Sequence, residues 1–247
     1  MTTIAGLSKE SLVTLLKTLY TTTPTLVPLL TSLLPPPTLS NTLSTILQLE
    51  RKILTALPSG LTVREDYIWG RVKVPLEDYL EEARGMIRGF CVEGGGGGGG
   101  EDEIGHSSTT FAFLYALTSS LRRIEATLPS PPSLVDSPNY PLNKRRAQDI
   151  LSTTLLPLLS TSWSTFLALL SAQVNQQGRI ISSEVLKGWL KRLEELSVES
   201  PGVREGTRRE GGARAVVLDV ETRMRREVGW LVGLKDPGGG EEMEEEL

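Results

Sequence analysis

A chain of 247 residues with 26 Lys plus Arg against 30 Asp plus Glu carries a formal net charge of -4, too mild for bulk attraction to nucleic acid or to an anionic membrane. It is 39% hydrophobic and only 5% aromatic, which predicts an aliphatic core in one large domain or two small ones. The single cysteine, Cys91, excludes an internal disulfide and fits a reducing compartment; no apolar run approaches the roughly 18 residues of a membrane span, and Met1 to Glu10 lacks the pattern of a secretory signal.

The first helix is expected over Ser8 to Tyr20, capped by Ser8, with Leu12, Leu15, Leu16 and Leu19 on one face. Thr23-Pro24-Thr25 separates it from a second, near Leu26 to Leu34, in which Pro28 falls in the tolerant first turn. The elbow Pro35-Pro36-Pro37-Thr38 leads into a third helix from about Ser40 to Leu57, stopped by Pro58-Ser59-Gly60. Leu39, Leu43, Ile46, Leu47, Ile53, Leu54 and Leu57 share its apolar face. Tyr67, Trp69 and Arg71 are then expected between helices, because Pro75 suits the first position of a fourth. Its stripe is Leu76, Tyr79, Leu80, Ala83, Ile87 and Phe90.

Gly94 to Gly100 with Glu101-Asp102-Glu103 reads as a solvated loop. A fifth helix, about Thr109 to Leu128, points Leu114, Leu117, Leu121 and Ile124 inward. After a Pro/Ser loop, Asn143 caps a long sixth helix reaching Val174, kinked or broken at Pro157. Asn175 to Arg179 turns the chain, and Ser182 or Ser183 caps a seventh helix with Val185, Leu186, Trp189, Leu193 and Leu196 inward. A polar linker precedes a last helix, about Ala213 to Leu234, with Val217, Val220, Met224, Val228 and Leu231 at helical spacing. No window alternates with period two, so the fold class is all-α. The domain reading is 1–60 as an N-terminal helical dimerisation region, 61–198 as a bundle of about five or six helices interrupted by a flexible loop at 93–106, and 199–247 as linker, Arg-rich helix and acidic tail.

Chemistry is sparse. The glycine run lacks the preceding strand and the Lys-Ser/Thr of a phosphate loop. His106 is the only histidine and has no partner at metal-ligand spacing. Cys91 has no accompanying base, so a half-buried structural thiol is expected rather than a nucleophile. Neither catalytic, metal-binding nor cofactor-binding residues are assigned, and the chain reads as a non-enzyme.

The stretch Leu29-Leu30-Thr31-Ser32-Leu33-Leu34-Pro35-Pro36-Pro37-Thr38-Leu39, a leucine-rich helix ending Ala56-Leu57-Pro58, and Tyr67-Ile68-Trp69-Gly70-Arg71-Val72-Lys73-Val74-Pro75-Leu76 resemble the fungal nuclear tethering factors of the proteasome. Asn143-Lys144-Arg145-Arg146 opening a long helix with Trp163 in its second half, and the helix around Trp189, are similar too, so that the resemblance runs from about Leu7 to Leu196. It implies a non-enzymatic homodimer that targets proteasomes to the nucleus for ubiquitin-dependent degradation of nuclear proteins. It further implies a downstream bundle similar in shape to the 14-3-3 phosphopeptide-binding adaptors, present in nucleus and cytoplasm. The implied partners are the proteasome, nuclear import factors and the nuclear-envelope membrane, with no nucleic acid. Only Met1 to Leu7 precede the first helix in this sequence, in place of the long lysine-rich tail usual in the family.

Leu12, Leu15, Leu16, Leu19, Leu30 and Leu33 are assigned to the dimer contact. A two-fold pairing of these helices would bury several hundred Å² per subunit, on the order of a stable interface. Tyr67, Trp69, Arg71, Asn143, Lys144, Arg145, Arg146, Trp163 and Trp189 are assigned to the bundle and its partner surface. The alternative is a helical scaffold without a proteasome role that takes peptides in a basic groove, to which Arg122, Arg123, Lys144, Arg145 and Arg146 would contribute.

Overall fold

The computed structural model describes residues 8–26, 38–58, 65–92, 103–128, 150–198 and 212–234. They fall into two compact units, Met1–Pro37 and Thr38–Leu247. The first holds α1, Lys9–Thr22, and a 3-10 turn at Pro24–Leu26. Ser8 caps α1, its hydroxyl accepting from the Ser11 N–H at 3.2 Å. The hydroxyls of Thr14, Thr18, Thr21 and Thr22 each donate to a carbonyl one turn back, so they ask nothing further of solvent. The expected second helix lies outside the described residues beyond Leu26.

The second unit is a bundle of α2 (Leu39–Ala56), α3 (Glu65–Ile87), α4 (Glu103–Thr127), α5 (Leu156–Ser171), α6 (Ser183–Ser197) and α7 (Ala213–Val228). No strand occurs among the described residues, as the all-α reading expects. Within the unit α2 packs on α3 and α4, and α7 packs on α5 and α6, while α4 touches both groups. Leu114, Leu117, Leu121 and Ile124 of α4 are accordingly 0% exposed.

Two prolines show how packing overrides local preference. Pro75 lies inside α3 rather than at its start. Tyr67, Trp69 and Arg71 are therefore helical, not part of a connection. An internal proline costs about 3 kcal/mol, but Val72, Leu76 and Tyr79, all at most 1% exposed, form one inward stripe across it. Burying such side chains contributes roughly 1.5–3 kcal/mol each, enough to carry the helix through. Pro157 is handled differently. A π-turn at Leu151–Leu155 lets the Leu156 N–H reach the Leu151 carbonyl, and the α-helix restarts with Pro157 in its first turn. There the missing N–H costs little.

A second π-turn, Ala172–Gln176, ends α5. It aims Asn175 at the end of α7, where its Nδ2 donates to the Glu227 carbonyl at 3.2 Å and its Oδ1 accepts from Trp230 Nε1 at 3.1 Å. Gln173 in the same turn accepts from Ser107 near the start of α4 at 3.2 Å. The other end of α7 is held from α4, where a Glu125 carboxylate oxygen accepts from the Ala213 N–H at 3.1 Å. Gly212 precedes it at φ 89°, and a Cβ there would lie 3.1 Å from both Glu125 carboxylate oxygens. Gly212→Ala should therefore lower stability by about 1–3 kcal/mol, read as a reduced midpoint in urea. An unchanged midpoint would show that this corner does not fix α7.

Several expectations shift in detail. All four phenylalanines, Phe90, Phe111, Phe113 and Phe166, are buried with Trp163, Trp189 and Tyr79, so the core is not purely aliphatic. Leu47 and Val185, expected inward, are 47% and 39% exposed. Ser182 occupies the N-cap of α6 but makes no capping bond. The continuous helix Leu151–Gln176 is long and apolar enough to cross a membrane by length and composition, against the expectation that no segment would be. Its Ser and Thr residues interrupt any apolar run without adding charge, and Leu155, Leu159, Trp163, Leu167 and Leu170 are buried in the bundle.

Candidate interaction surfaces

The leucines assigned to a dimer contact lie along α1. Leu12 and Leu19 are half-buried, whereas Leu15 and Leu16 are 41% and 40% exposed. Val13 and Tyr20 join them on the surface. Lys9, Glu10 and Lys17 are the only charged residues of the helix. A helix of this kind carries more apolar surface than a solvated single helix needs. Leu30 and Leu33 lie outside the described residues.

The residues assigned to the bundle surface separate into distinct places. Trp163 and Trp189 are core residues, 1% and 6% exposed. Phe111 stacks on Trp189 with centroids 4.6 Å apart and meets Trp163 edge-on at 5.6 Å. Trp163 Nε1 donates to Thr118 Oγ1 at 3.0 Å, and that hydroxyl donates onward to the Leu114 carbonyl at 2.6 Å. Trp69 is half-buried against the core. Tyr67 is 56% exposed, with the Arg71 guanidinium 5.7 Å from its ring centroid. Asn143, Lys144, Arg145 and Arg146 lie outside the described residues, as do the glycine run and the side chain of His106.

Sequence reasoning missed the main polar tie of the bundle. Glu50 of α2 is 5% exposed, and Arg123 of α4 grips it through two bonds, Nε to Oε1 at 2.6 Å and Nη2 to Oε2 at 2.8 Å. Ser119 accepts a further bond from Arg123 Nη1 at 2.7 Å. Burial raises the Glu50 pKa, but hydrogen bonds from Arg123 and Ser120 and the Arg123 charge outweigh it, and the group ends below its ordinary value. Ser120 also accepts from the buried Tyr79 hydroxyl at 3.2 Å. The signal was available in the sequence: Glu50 sits between Ile46 and Ile53 on the apolar face of its helix. Arg123, counted among the residues of a basic groove, is thereby committed to Glu50. Arg122 directs Nη2 to the Val198 carbonyl at 3.4 Å.

Burial pushes the Cys91 thiol up to about 11, with a Ser162 hydrogen bond opposing the shift, so the thiolate is scarce at neutral pH. No group of three or more His, Cys, Asp or Glu suited to a metal occurs among the described residues.

Fold and surface together define an all-α bundle protein whose leading helix offers an exposed leucine face. Residues 1–91 of the 247 match the family model of Cut8, described as nuclear proteasome tether protein. The matched stretch runs through α1, α2 and α3 into the π-turn Arg88–Val92, a shorter span than the resemblance read from the sequence. The match supports a nuclear proteasome tether role. No curated protein and no solved structure matches the chain.

Proposed function

We propose that this chain is a non-enzymatic, homodimeric tether that brings proteasomes to the nucleus and so supports ubiquitin-dependent degradation of nuclear proteins. The observation that carries the reading is the match of residues 1–91 to the nuclear proteasome tether model. Dimerisation falls to α1, with Leu12, Leu15, Leu16 and Leu19 meeting the same residues of a second copy and Leu30 and Leu33 extending the contact. The self-satisfied threonine hydroxyls of α1 make such burial less costly, because no unpaired donor goes into the interface. Import factors carry the assembly between cytoplasm and nucleus. Contact with the nuclear-envelope membrane falls to the outer face of α5, where exposed Leu158, Thr161, Thr165 and Leu169 carry no charge.

Affinity capture of the tagged full-length chain from its native cells, at moderate salt, should bring down proteasome subunits together with import factors. Recovery of the chain without proteasome subunits would sink the tethering role. Separately, Leu15→Glu with Leu19→Glu should give a monomer by sedimentation at concentrations where the wild type is dimeric, since each buried charge costs several kcal/mol. A variant that stays dimeric at those concentrations would remove α1 from the interface.

A further inference from the structure

We infer that the outward face of α3 is a second self-association surface, on which another copy of the chain packs antiparallel with Arg71 opposite Asp78 of the partner subunit. Tyr67, Gly70, Arg71 and Val74 stand at i, i+3, i+4 and i+7, one face of a helix. Asp78 and Glu81 continue that face. It lies opposite the buried stripe of Val72, Leu76, Tyr79 and Ala83, where an ordinary helix presents only polar residues. Here Tyr67 and Val74 are instead 56% and 60% exposed.

Gly70 sharpens the argument. A Cβ at this position would meet nothing within 4 Å, so nothing inside the chain requires glycine there. A helical glycine is less favourable than alanine. Its bare backbone instead makes a hollow between Tyr67 and Val74 that a side chain of another helix can enter.

Charge selects the occupant. Exposed cations, Arg71 and Lys73, lie on the N-terminal side of Val74, and exposed acids, Glu77, Asp78, Glu81 and Glu82, on its C-terminal side, with exposed Arg84 beyond them. Lys73 reaches Glu77 only at 3.9 Å, with both side chains about half exposed. An antiparallel pair with its two-fold axis near Val74 brings Arg71 to Asp78 twice, once from each copy, and places the Tyr67 ring near Glu81. A parallel pair would set like charges together. Isologous pairing thus satisfies the face with its own complement. This contact does not depend on α1, and its test separates the two.

The test is sedimentation equilibrium of the full chain at low salt, in wild type and in the Leu15→Glu, Leu19→Glu background. Arg71→Glu should weaken the residual self-association of that background about ten-fold, two exposed pairs at about 0.7 kcal/mol each. Asp78→Arg should do the same, and Arg71→Glu with Asp78→Arg should restore it. Gly70→Leu should abolish it while the thermal midpoint holds, because the site is open. A double reversal that fails to restore association overturns the proposal. So does an α1 variant that is monomeric at every concentration, although that result upholds the α1 contact. Association of the α1 variant that ignores Arg71, Asp78 and Gly70 overturns the α3 contact, and association as tight as that of the wild type overturns the α1 contact.

Discussion

Trp163→Ala is expected to destabilise the bundle by about 3–5 kcal/mol, the range for removing a large aromatic from a packed core. Trp163 is 1% exposed and belongs to a cluster of four aromatic rings across three helices, touching two of the other three. Phe111 of α4 lies between it and Trp189 of α6, with Phe166 closing the group from α5. The indole also makes the one bond a smaller ring loses, to Thr118. Trp163→Phe should therefore cost less, about 1–2 kcal/mol, because the Thr118 hydroxyl keeps the Leu114 carbonyl as acceptor. Chemical denaturation followed by far-ultraviolet circular dichroism separates the two variants. Equal costs would mean that the hydrogen bond, not the ring packing, holds this region. A cost below about 1 kcal/mol for alanine would mean that the cluster is not the centre of the fold.

The helices were legible in the sequence wherever a leucine stripe ran unbroken. Leu114, Leu117, Leu121 and Ile124 repeat at helical spacing and are fully buried, and Ser8 and Thr38 stand where hydroxyl caps form. Legibility failed at Pro75, and at Pro157, where an interruption was expected, only its form was hidden. Local rules place Pro75 at a helix start, because they price its missing hydrogen bond and cannot price the burial of Val72 and Leu76 on either side. The π-turn before Pro157 was equally hidden, since it depends on which carbonyl a neighbouring turn can spare. Aromatic scarcity misled for a related reason. Composition counts residues, whereas burial selects them, and four phenylalanines suffice to build a centre when all of them point inward.

The candidate surfaces were legible only in part. The α1 leucines announce themselves by spacing, and the matched stretch of residues 1–91 includes them. Trp189 was read as inward from its helical spacing and Trp163 was assigned to the bundle by family likeness, and both lie in the core. Exposure is a tertiary property, and a tryptophan at helical spacing fits either side. Gly70 went unnoticed because one glycine in a chain with 24 of them carries no signal until the structure shows an open face around it.

Arg123→Ala is expected to cost about 2–4 kcal/mol near neutral pH and to reverse the acid response of the bundle. Removing one partner of a buried ion pair strands the other charge, at about 3–5 kcal/mol when both are buried. The lower range applies because the Arg123 side chain is 48% exposed while that of Glu50 is only 7% exposed. In the wild type the Glu50 carboxyl is held below its ordinary value of 4.5. A depressed carboxyl stabilises the fold above its unfolded pKa, and that contribution is lost as pH falls from about 4.5 through the lower folded value. Removing Arg123 leaves burial, the largest single influence, opposed only by the Ser120 hydrogen bond and the Arg51 charge, so the Glu50 pKa is expected to rise above its ordinary value. The same group then stabilises the variant below its unfolded pKa and loses that contribution as pH rises through the folded one. Wild type should therefore weaken and the variant recover over the acid limb, so that their denaturation midpoints converge as pH drops below 4.5. Glu50→Gln should cost less than Arg123→Ala, because it leaves no stranded charge, and should flatten the acid limb. Parallel pH profiles for wild type and Arg123→Ala would show that the pair does not bind α2 to α4.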